Sequence, residues 1–180
     1  MSDESGTCTG GAERREGAGQ AQLVGDLVEG SDKANTPLEY VSDISEILSG
    51  FDLDPCASQS SNLAAENIRE NGGLSRSWDE YGTVWLNHPF SDPGPWLRKA
   101  VECQAETVVA LSKCDPSADW FHDYALQADL LAFPDERVNF IGYEWDAAFP
   151  VVYSVYGHVP GTLRDWFEQN EEFSGWVVIP

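Results

Sequence analysis

A short apolar run is followed by four residues whose groups can together hold a planar amine. They are Asn87, His88, Pro89 and Phe90. An asparagine side-chain oxygen accepts a hydrogen bond from an exocyclic amine, and the carbonyl of residue 88 can accept a second one. Phe90 can stack on a flat ring, a contact worth about 1–3 kcal/mol for a nucleic-acid base. Held in this way, the amine can turn its lone pair toward an electrophile. The segment therefore predicts chemistry at the amino group of a flat heterocycle.

A second unusual segment spans residues 52–58, where a short apolar strand pattern stops at Pro55. Asp52 and Asp54 are candidate metal ligands, but a shared metal ion is not the favoured interpretation of this pair. Cys56 is a candidate covalent nucleophile, although a small residue packed in a ligand-binding loop is the favoured interpretation. The chain has 4 Cys and 3 His without the spacing of a zinc site, so no metal is expected.

Alternating strand and helix patterns must position these two segments. Apolar runs predict strands at residues 51–54, 83–86, 107–111, 129–133, 138–141, 151–156 and 175–179. Helical spacing predicts helices at residues 37–49, 61–71, 96–105, 119–128 and 163–169. The alternation predicts an α/β fold with a mostly parallel sheet and helices on both faces. Ligands of such sheets bind at the carboxyl ends of the strands, where both polar segments lie.

The folded part of the chain is predicted to begin at a helix start. Thr36, Pro37, Leu38 and Glu39 have the pattern of a capping box, and Gly50 is expected to end this helix. Residues 1–34 are rich in Gly, Ser, Glu and Ala, which predicts a flexible acidic tail. Residues 35–180 are predicted to form one domain.

The composition of the 180-residue chain excludes several classes of protein. Hydrophobic residues at 42% and aromatic residues at 12% can build a core, unlike the residues of a disordered acidic chain. No apolar run approaches the ~20 residues of a membrane span and no signal peptide opens the chain, so a cytoplasmic protein is expected. The net charge of -21 excludes a basic nucleic-acid binder.

Acidity of this degree has two explanations, mimicry of a polyanion and life in a very salty cytoplasm. The second is favoured, because salt shortens the Debye length to ~3 Å at 1 M and so makes the self-repulsion tolerable. Lysine is also scarce, with Lys33, Lys99 and Lys113 the only lysines among 10 basic residues. We therefore expect a halophilic source.

Residues 87–90 resemble motif IV of the amino-methyltransferases, in which Asp, Asn or Ser precedes Pro-Pro and an aromatic residue. Further motifs resemble, in order, the phage-type DNA N-6-adenine methyltransferases (the phage Dam family) over residues 36 to roughly 157. They are Thr36-Pro37, residues 52–58, Gly73-Leu74 with Trp78, residues 84–91, Trp96, Lys99-Ala100, Trp120-Phe121 and residues 137–140. The order of the set, more than any single motif, carries the resemblance.

This resemblance implies a Rossmann-like, S-adenosylmethionine-dependent methyltransferase fold. It implies direct in-line transfer of a methyl group to N6 of an adenine flipped out of double-stranded DNA, with no covalent intermediate and no metal. Asn87 and the carbonyl of His88 would hold the N6 amine, Pro89 would complete the motif, and Phe90 would stack on the base. The residues implied to border the cofactor are Thr36, Pro37, Asp54, Pro55, Cys56 and Ala57.

One position departs from the family pattern, because His88 stands where proline is usual. Proline would stiffen the carbonyl that faces the amine, whereas the imidazole could contribute a hydrogen bond or a stacking contact. Ser91 and Lys113 are candidate DNA contacts, with Lys113 at the end of a strand suited to a phosphate. Arg137 fits a phosphate contact and a structural ion pair equally well.

Two alternatives remain open at this point. Similar motifs serve methyltransferases of other planar amines, namely cytosine N4, RNA and protein glutamine. The negative charge and the departure at His88 also fit a catalytically degenerate DNA mimic, which would not need residues 54–57. A viral or proviral origin is expected, in which case the cytoplasm would be that of the host cell. Neither the DNA recognition sequence nor the oligomeric state follows from the sequence.

Overall fold

A computed structural model describes residues 36–69, 72–138, 140, 149–169 and 175–178, so the tail predicted for residues 1–34 lies outside the described residues. The strands are β1 (Phe51–Asp54), β2 (Ala64–Asn67), β3 (Thr83–Leu86), β4 (Thr107–Lys113), β5 (Leu130–Pro134), β6 (Val151–Gly157) and β7 (Gly175–Val178). The helices are α1 (Ser42–Ile47), α2 (Gly94–Glu102), α3 (Asp119–Asp123) and α4 (Gly161–Gln169), with 3-10 turns at Leu38–Tyr40 and Ala125–Gln127. No helix in these ranges is long and apolar enough to cross a membrane.

Within the described residues the strands form one sheet in the order β2-β1-β3-β4-β6-β5-β7. The neighbours β2, β1, β3 and β4 are parallel, β6 runs antiparallel between β4 and β5, and β7 runs antiparallel beside β5. All strands except β6 and β7 therefore share one direction, which confirms the predicted mostly parallel α/β sheet. After β2 the chain crosses back to build β3 on the other side of β1, so the strand order reverses between β1 and β3.

Side chains on the two faces of the sheet pack into two apolar clusters. On one face Trp85 of β3 packs in a cluster with Ile44 of α1 and Leu163 of α4. On the other face its neighbour Leu86 packs in a cluster that includes Leu97 of α2 and residues of α3. Alternation along β3 sends these two side chains to opposite faces. Helices thus cover both faces, as predicted, and the central strands provide a rigid support for the residues at their ends.

The helix predicted for residues 61–71 is wrong, because its centre forms the edge strand β2. Phe51 is in register with Ala64 and Asp54 with Asn67, so the open edge of β1 supplies the hydrogen-bonding partner. The Asn67 side chain also donates a hydrogen bond to the Ala64 carbonyl at 2.6 Å. Pairing along a sheet edge overrides the local helix preference of these residues.

Three other predicted elements differ from the structure. The first helix is divided into a 3-10 turn and α1, which is followed by Ser49 and Gly50 at φ 61° and 101°. The helix predicted for residues 119–128 is divided into α3 and a second 3-10 turn. Of the strand predicted for residues 138–141, Val138 and Phe140 instead pack as buried residues of the α1 and α4 cluster, and the rest lies outside the described residues.

Candidate active site

The two polar segments found in the sequence lie side by side beyond the carboxyl ends of β1 and β3. Leu53 of β1 is in register with Val84 of β3. The strand order reverses between these two strands, and in α/β proteins such a reversal opens the crevice in which ligands bind. Asp54 ends β1, residues 55–57 follow it and residues 87–90 follow β3, so both segments lie at the position where such a crevice would form.

Asp54 ends β1, and its carboxyl group shapes the loop that follows. The residue is 3% exposed, and its two oxygens accept hydrogen bonds from the Cys56 amide at 3.0 Å and the Ser61 hydroxyl at 3.1 Å. Burial raises the pKa of Asp54 to about 6, although these hydrogen bonds and the charge of Arg69 act in the opposite direction. Asp54 therefore keeps a fixed position and is able to change its charge near neutral pH.

Asp52 and Cys56 are the residues that the sequence offered as a metal ligand and as a covalent nucleophile, and both have other contacts in the structure. The exposed Asp52 carboxylate accepts hydrogen bonds from the amides of Gly82 and Thr83, both at 2.9 Å, and thereby ties β1 to the start of β3. Burial raises the pKa of the Cys56 thiol well above its usual range, which disfavours a thiolate nucleophile. Across the described part of the chain, no group of three or more His, Cys, Asp or Glu side chains is placed to hold a metal ion.

Gly73 and the residues that contact its segment hold the loop after β1 in position. A Cβ atom on Gly73 would overlap the carbonyl oxygen of Pro55, so only glycine allows this close approach. The fully buried Trp78 donates an indole hydrogen bond to the Gly73 carbonyl at 3.0 Å. Lys99 of α2 donates to the Leu74 carbonyl at 2.9 Å, and its Nζ lies 5.3 Å from the centroid of the Trp78 ring. These motif residues therefore hold the Pro55 backbone in place.

The other residues implied to border the cofactor lie close to this loop or at the start of the described chain. Pro55 and Ala57 are buried in the loop after β1. Pro37 is half-buried and precedes the 3-10 turn of Leu38–Tyr40.

Asn87 and Thr36 contact each other across the site. The Asn87 Nδ2 donates a hydrogen bond to the Thr36 hydroxyl oxygen at 3.1 Å. No side chain caps the turn at Leu38–Tyr40, so the capping box predicted at Thr36 is wrong. The Thr36 hydroxyl contacts Asn87 instead and limits the movement of its amide. In this contact the Nδ2 end of the amide faces Thr36.

His88 is buried, at 3% exposure, and its imidazole makes two hydrogen bonds. Its Nε2 lies 2.7 Å from the hydroxyl oxygen of Ser112 on β4, and its Nδ1 lies 3.0 Å from the carbonyl oxygen of Pro89. The ring also meets Phe90 edge-on, with centroids 5.9 Å apart. Sequence reasoning missed Ser112, whose one signal is a hydroxyl group after four apolar residues of a strand.

Phe90, the ring that the sequence predicted to stack on a base, is buried, at 5% exposure. Phe140 and Phe149 meet it edge-on, with centroid distances of 5.5 Å and 5.3 Å. The Nζ atom of Lys113 lies 5.7 Å from the Phe90 centroid and 4.5 Å from the Phe149 centroid, within the range of cation–π attraction. Lys113 thus contacts the aromatic rings of the site.

The other two candidate DNA contacts are exposed. Ser91 directly follows Phe90 in the turn that leads to α2. Arg137 lies beyond the end of β5, next to Val138, which packs in the same cluster as Phe90. Contact with DNA stays a prediction for Ser91, Lys113 and Arg137.

Comparison with known proteins identifies the family. The family described as DNA N-6-adenine-methyltransferase (Dam) matches residues 26–151. A DNA N-6-adenine-methyltransferase of Escherichia phage T1 is 30% identical over 90 residues, which are 48% of this chain and 38% of that protein. The chain therefore aligns with well under half of this curated relative.

Among solved structures, a Pyrococcus horikoshii protein described as a "putative RNA methyltransferase" matches 52% of this chain and 51% of its own, with a TM-score of 0.37 and 16% identity. The family match, by contrast, covers most of the chain and includes both polar segments of the crevice. The chain therefore belongs to the DNA N-6-adenine-methyltransferase (Dam) family.

Proposed function

We propose that this protein transfers a methyl group from S-adenosylmethionine to N6 of an adenine flipped out of double-stranded DNA. Membership of the Dam family supports the reaction and the substrate. The observation that carries the proposal for this chain is the hydrogen bond from Asn87 to Thr36 beside the crevice. It holds the Asn87 amide in place after β3, which supports a role for the amide oxygen as an acceptor for the amine.

The residues beside the crevice fit the proposed methyl donor. S-adenosylmethionine carries a positively charged sulfonium and an ammonium group, and when bound it supplies the methyl group as an electrophile. The Asp54 carboxyl at the end of β1 offers a negative charge of fixed position, and the loop after it is held in shape from outside by Gly73. Residues 54–57 would hold the methionine part, as the family resemblance implies.

The target amine would be held by two acceptors that follow β3. The Asn87 side-chain oxygen takes one N6 hydrogen, and the His88 carbonyl takes the other. Two acceptors on one amine favour its tetrahedral form, in which the lone pair is available for attack. The amine attacks the methyl carbon directly while the carbon–sulfur bond of the sulfonium breaks, so a neutral thioether leaves and the methylated nitrogen then loses one proton to water. No enzyme nucleophile is needed for this step. This agrees with the raised pKa of the Cys56 thiol.

Base stacking on Phe90 requires a local rearrangement. Phe149 and Lys113 now lie against this ring, so an adenine that stacks there displaces at least one of them. Lys113 would then be placed near the backbone of the flipped nucleotide, where its charge suits a phosphate. Exposed Ser91 and Arg137 would add contacts to the duplex.

The test is incubation of the full chain with labelled S-adenosylmethionine and double-stranded DNA, in a potassium chloride series up to molar concentration. Nucleosides are then identified by mass spectrometry. We expect N6-methyladenine from the wild-type chain and none from Asn87→Ala. Gln104→Ala, which removes an exposed amide near the end of α2, is the matched control and should keep full activity.

Two other outcomes of this experiment would change the proposal. A product methylated at cytosine N4 would change the substrate and keep the site. Absence of any product, together with no thermal shift on addition of S-adenosylmethionine, would overturn the proposal in favour of an acidic DNA mimic.

A further inference from the structure

We propose that the side chains of His88 and Ser112 form a clamp that positions the residue-88 carbonyl for the target amine. The inference rests on the proposed function, because the carbonyl has a role only if an amine binds there. Both side chains are positioning residues, since neither imidazole nor hydroxyl would touch the substrate.

The geometry of the clamp assigns its protons. The Nδ1 of His88 faces the Pro89 carbonyl at 3.0 Å, and a carbonyl can only accept, so Nδ1 carries the hydrogen. In the neutral imidazole Nε2 is then an acceptor, and the Ser112 hydroxyl donates to it at 2.7 Å. The ring therefore bridges the backbone of its own loop and the side chain of a neighbouring strand.

Ser112 provides a rigid anchor for this bridge. It is fully buried on β4, in register with Val152 of β6, and it follows the apolar residues of the strand. A hydroxyl in such surroundings needs a hydrogen-bond partner, and the His88 imidazole supplies it. Motion of the loop relative to β4 would break this hydrogen bond within a buried environment, where its loss is costly.

The clamp acts on a torsion that the neighbouring proline does not fix. The ring of Pro89 fixes its own φ and restricts His88 to extended backbone, whereas φ of His88 is not closed by a ring and is limited by contacts such as this one. Together with ψ, this φ decides where the residue-88 carbonyl points. A misplacement of about 1 Å in a reacting group can reduce a rate by up to about 100-fold. The His88 ring also packs edge-on with the Phe90 ring, with centroids 5.9 Å apart. This contact limits the position of the ring that would stack on the base.

The test is a double-mutant cycle with Ser112→Ala and His88→Pro, in which a proline ring replaces the hydrogen-bonded constraint by a covalent one. In the chain that retains His88, we expect Ser112→Ala to lower kcat about tenfold. Its affinity for S-adenosylmethionine should stay within about twofold of the wild-type value. In the His88→Pro background the same change should lower kcat by less than about twofold, because the imidazole partner is gone. Ser154→Ala, which removes an equally buried hydroxyl from β6, is the matched control and should leave kcat unchanged.

Hydrogen–deuterium exchange of the peptide over residues 84–91 provides a readout that does not depend on activity. Ser112→Ala should increase exchange in the His88 chain and add no increase in the His88→Pro background. If His88→Pro does not fold, as judged by circular dichroism, His88→Ala replaces it with the same expectation. Equal effects of Ser112→Ala in both backgrounds, or no effect on exchange in the His88 chain, would overturn the clamp. An inactive wild-type chain with the expected exchange pattern would instead count against the proposed function.

Discussion

At the scale of single residues, the site is built from side chains that orient one another before a ligand binds. Thr36 fixes the amide of Asn87, and Asp54 is held by the amide of Cys56 and the hydroxyl of Ser61. Each of these hydrogen bonds limits a rotation that would otherwise be lost on binding, at an entropic cost. Substitution of Thr36 tests the role of orientation, and substitution of Asp54 tests the charge of its buried carboxyl group.

Thr36→Val removes the acceptor for Asn87 and preserves the shape of the side chain. We expect kcat to fall about tenfold, because the Asn87 oxygen is no longer held toward the amine, while affinity for S-adenosylmethionine stays the same. Thr36→Ser keeps the hydroxyl and should keep most of the activity. Steady-state kinetics and calorimetric titration distinguish this role from a cofactor contact, because a contact would weaken cofactor binding and leave kcat nearly unaffected.

Asp54→Asn should stabilise the fold more at neutral pH than at acid pH. The folded-state pKa of about 6 lies above the ordinary value of 3.8, so the folded protein binds the proton more tightly than the unfolded chain. The contribution of Asp54 to stability therefore decreases as the pH rises from about 4 to about 6. Urea unfolding of both chains at pH 4.5 and pH 7.5 measures the effect. An equal difference in unfolding free energy at the two pH values would contradict the assigned pKa.

At the scale of secondary-structure elements, the crevice depends on how β1, β3 and the segment after β2 are fixed to one another. Asp52 ties β1 to the start of β3, and Trp78 and Gly73 fix the loop beyond β1. The close approach of Gly73 to Pro55 is the tightest constraint among these contacts, because it leaves no room for a Cβ atom.

Gly73→Ala should displace the loop after β1. The added methyl group meets backbone rather than a flexible side chain, and overpacking of this kind costs about 1–3 kcal/mol. We expect weaker binding of S-adenosylmethionine and a lower unfolding free energy. Gly161→Ala at the start of α4, where a Cβ atom meets nothing within 4 Å, is the control and should change neither. Unchanged cofactor affinity in Gly73→Ala would show that the loop does not border the cofactor.

The same elements show what could be predicted from the sequence and what could not. Strands β1 and β3 were predictable because each is an apolar run bounded by turn residues, and residues 87–90 follow from their chemistry alone. Strand β2 could not be predicted from the sequence, because it forms by pairing with the open edge of β1. The contacts of Thr36 with Asn87 and of Ser112 with His88 were also missed. They join residues 51 and 24 positions apart, so no local pattern records them.

At the scale of the whole molecule, the outstanding property is charge. Residues 35–180 contain 24 acidic and 7 basic residues, a net charge of -17 out of -21, so the repulsion is spread over the predicted domain. A DNA enzyme with this surface gains little from release of counterions by its own cations. Its affinity would come mainly from base stacking and amine hydrogen bonds, which salt screens weakly. The charge is thus compatible with a DNA substrate if the protein works at high salt.

The charge also predicts that the fold itself requires salt. At low ionic strength the acidic side chains repel one another over a Debye length of about 30 Å at 0.01 M, whereas at 1 M this length falls to about 3 Å. We expect the thermal unfolding midpoint to rise steadily as potassium chloride increases to molar concentration. A variant with the exposed Glu102, Glu136 and Glu168 changed to Gln carries less repulsion and should reach the same midpoint at lower salt. Midpoints that do not depend on salt in either chain would contradict a halophilic adaptation and would favour a protein of ordinary cytoplasm.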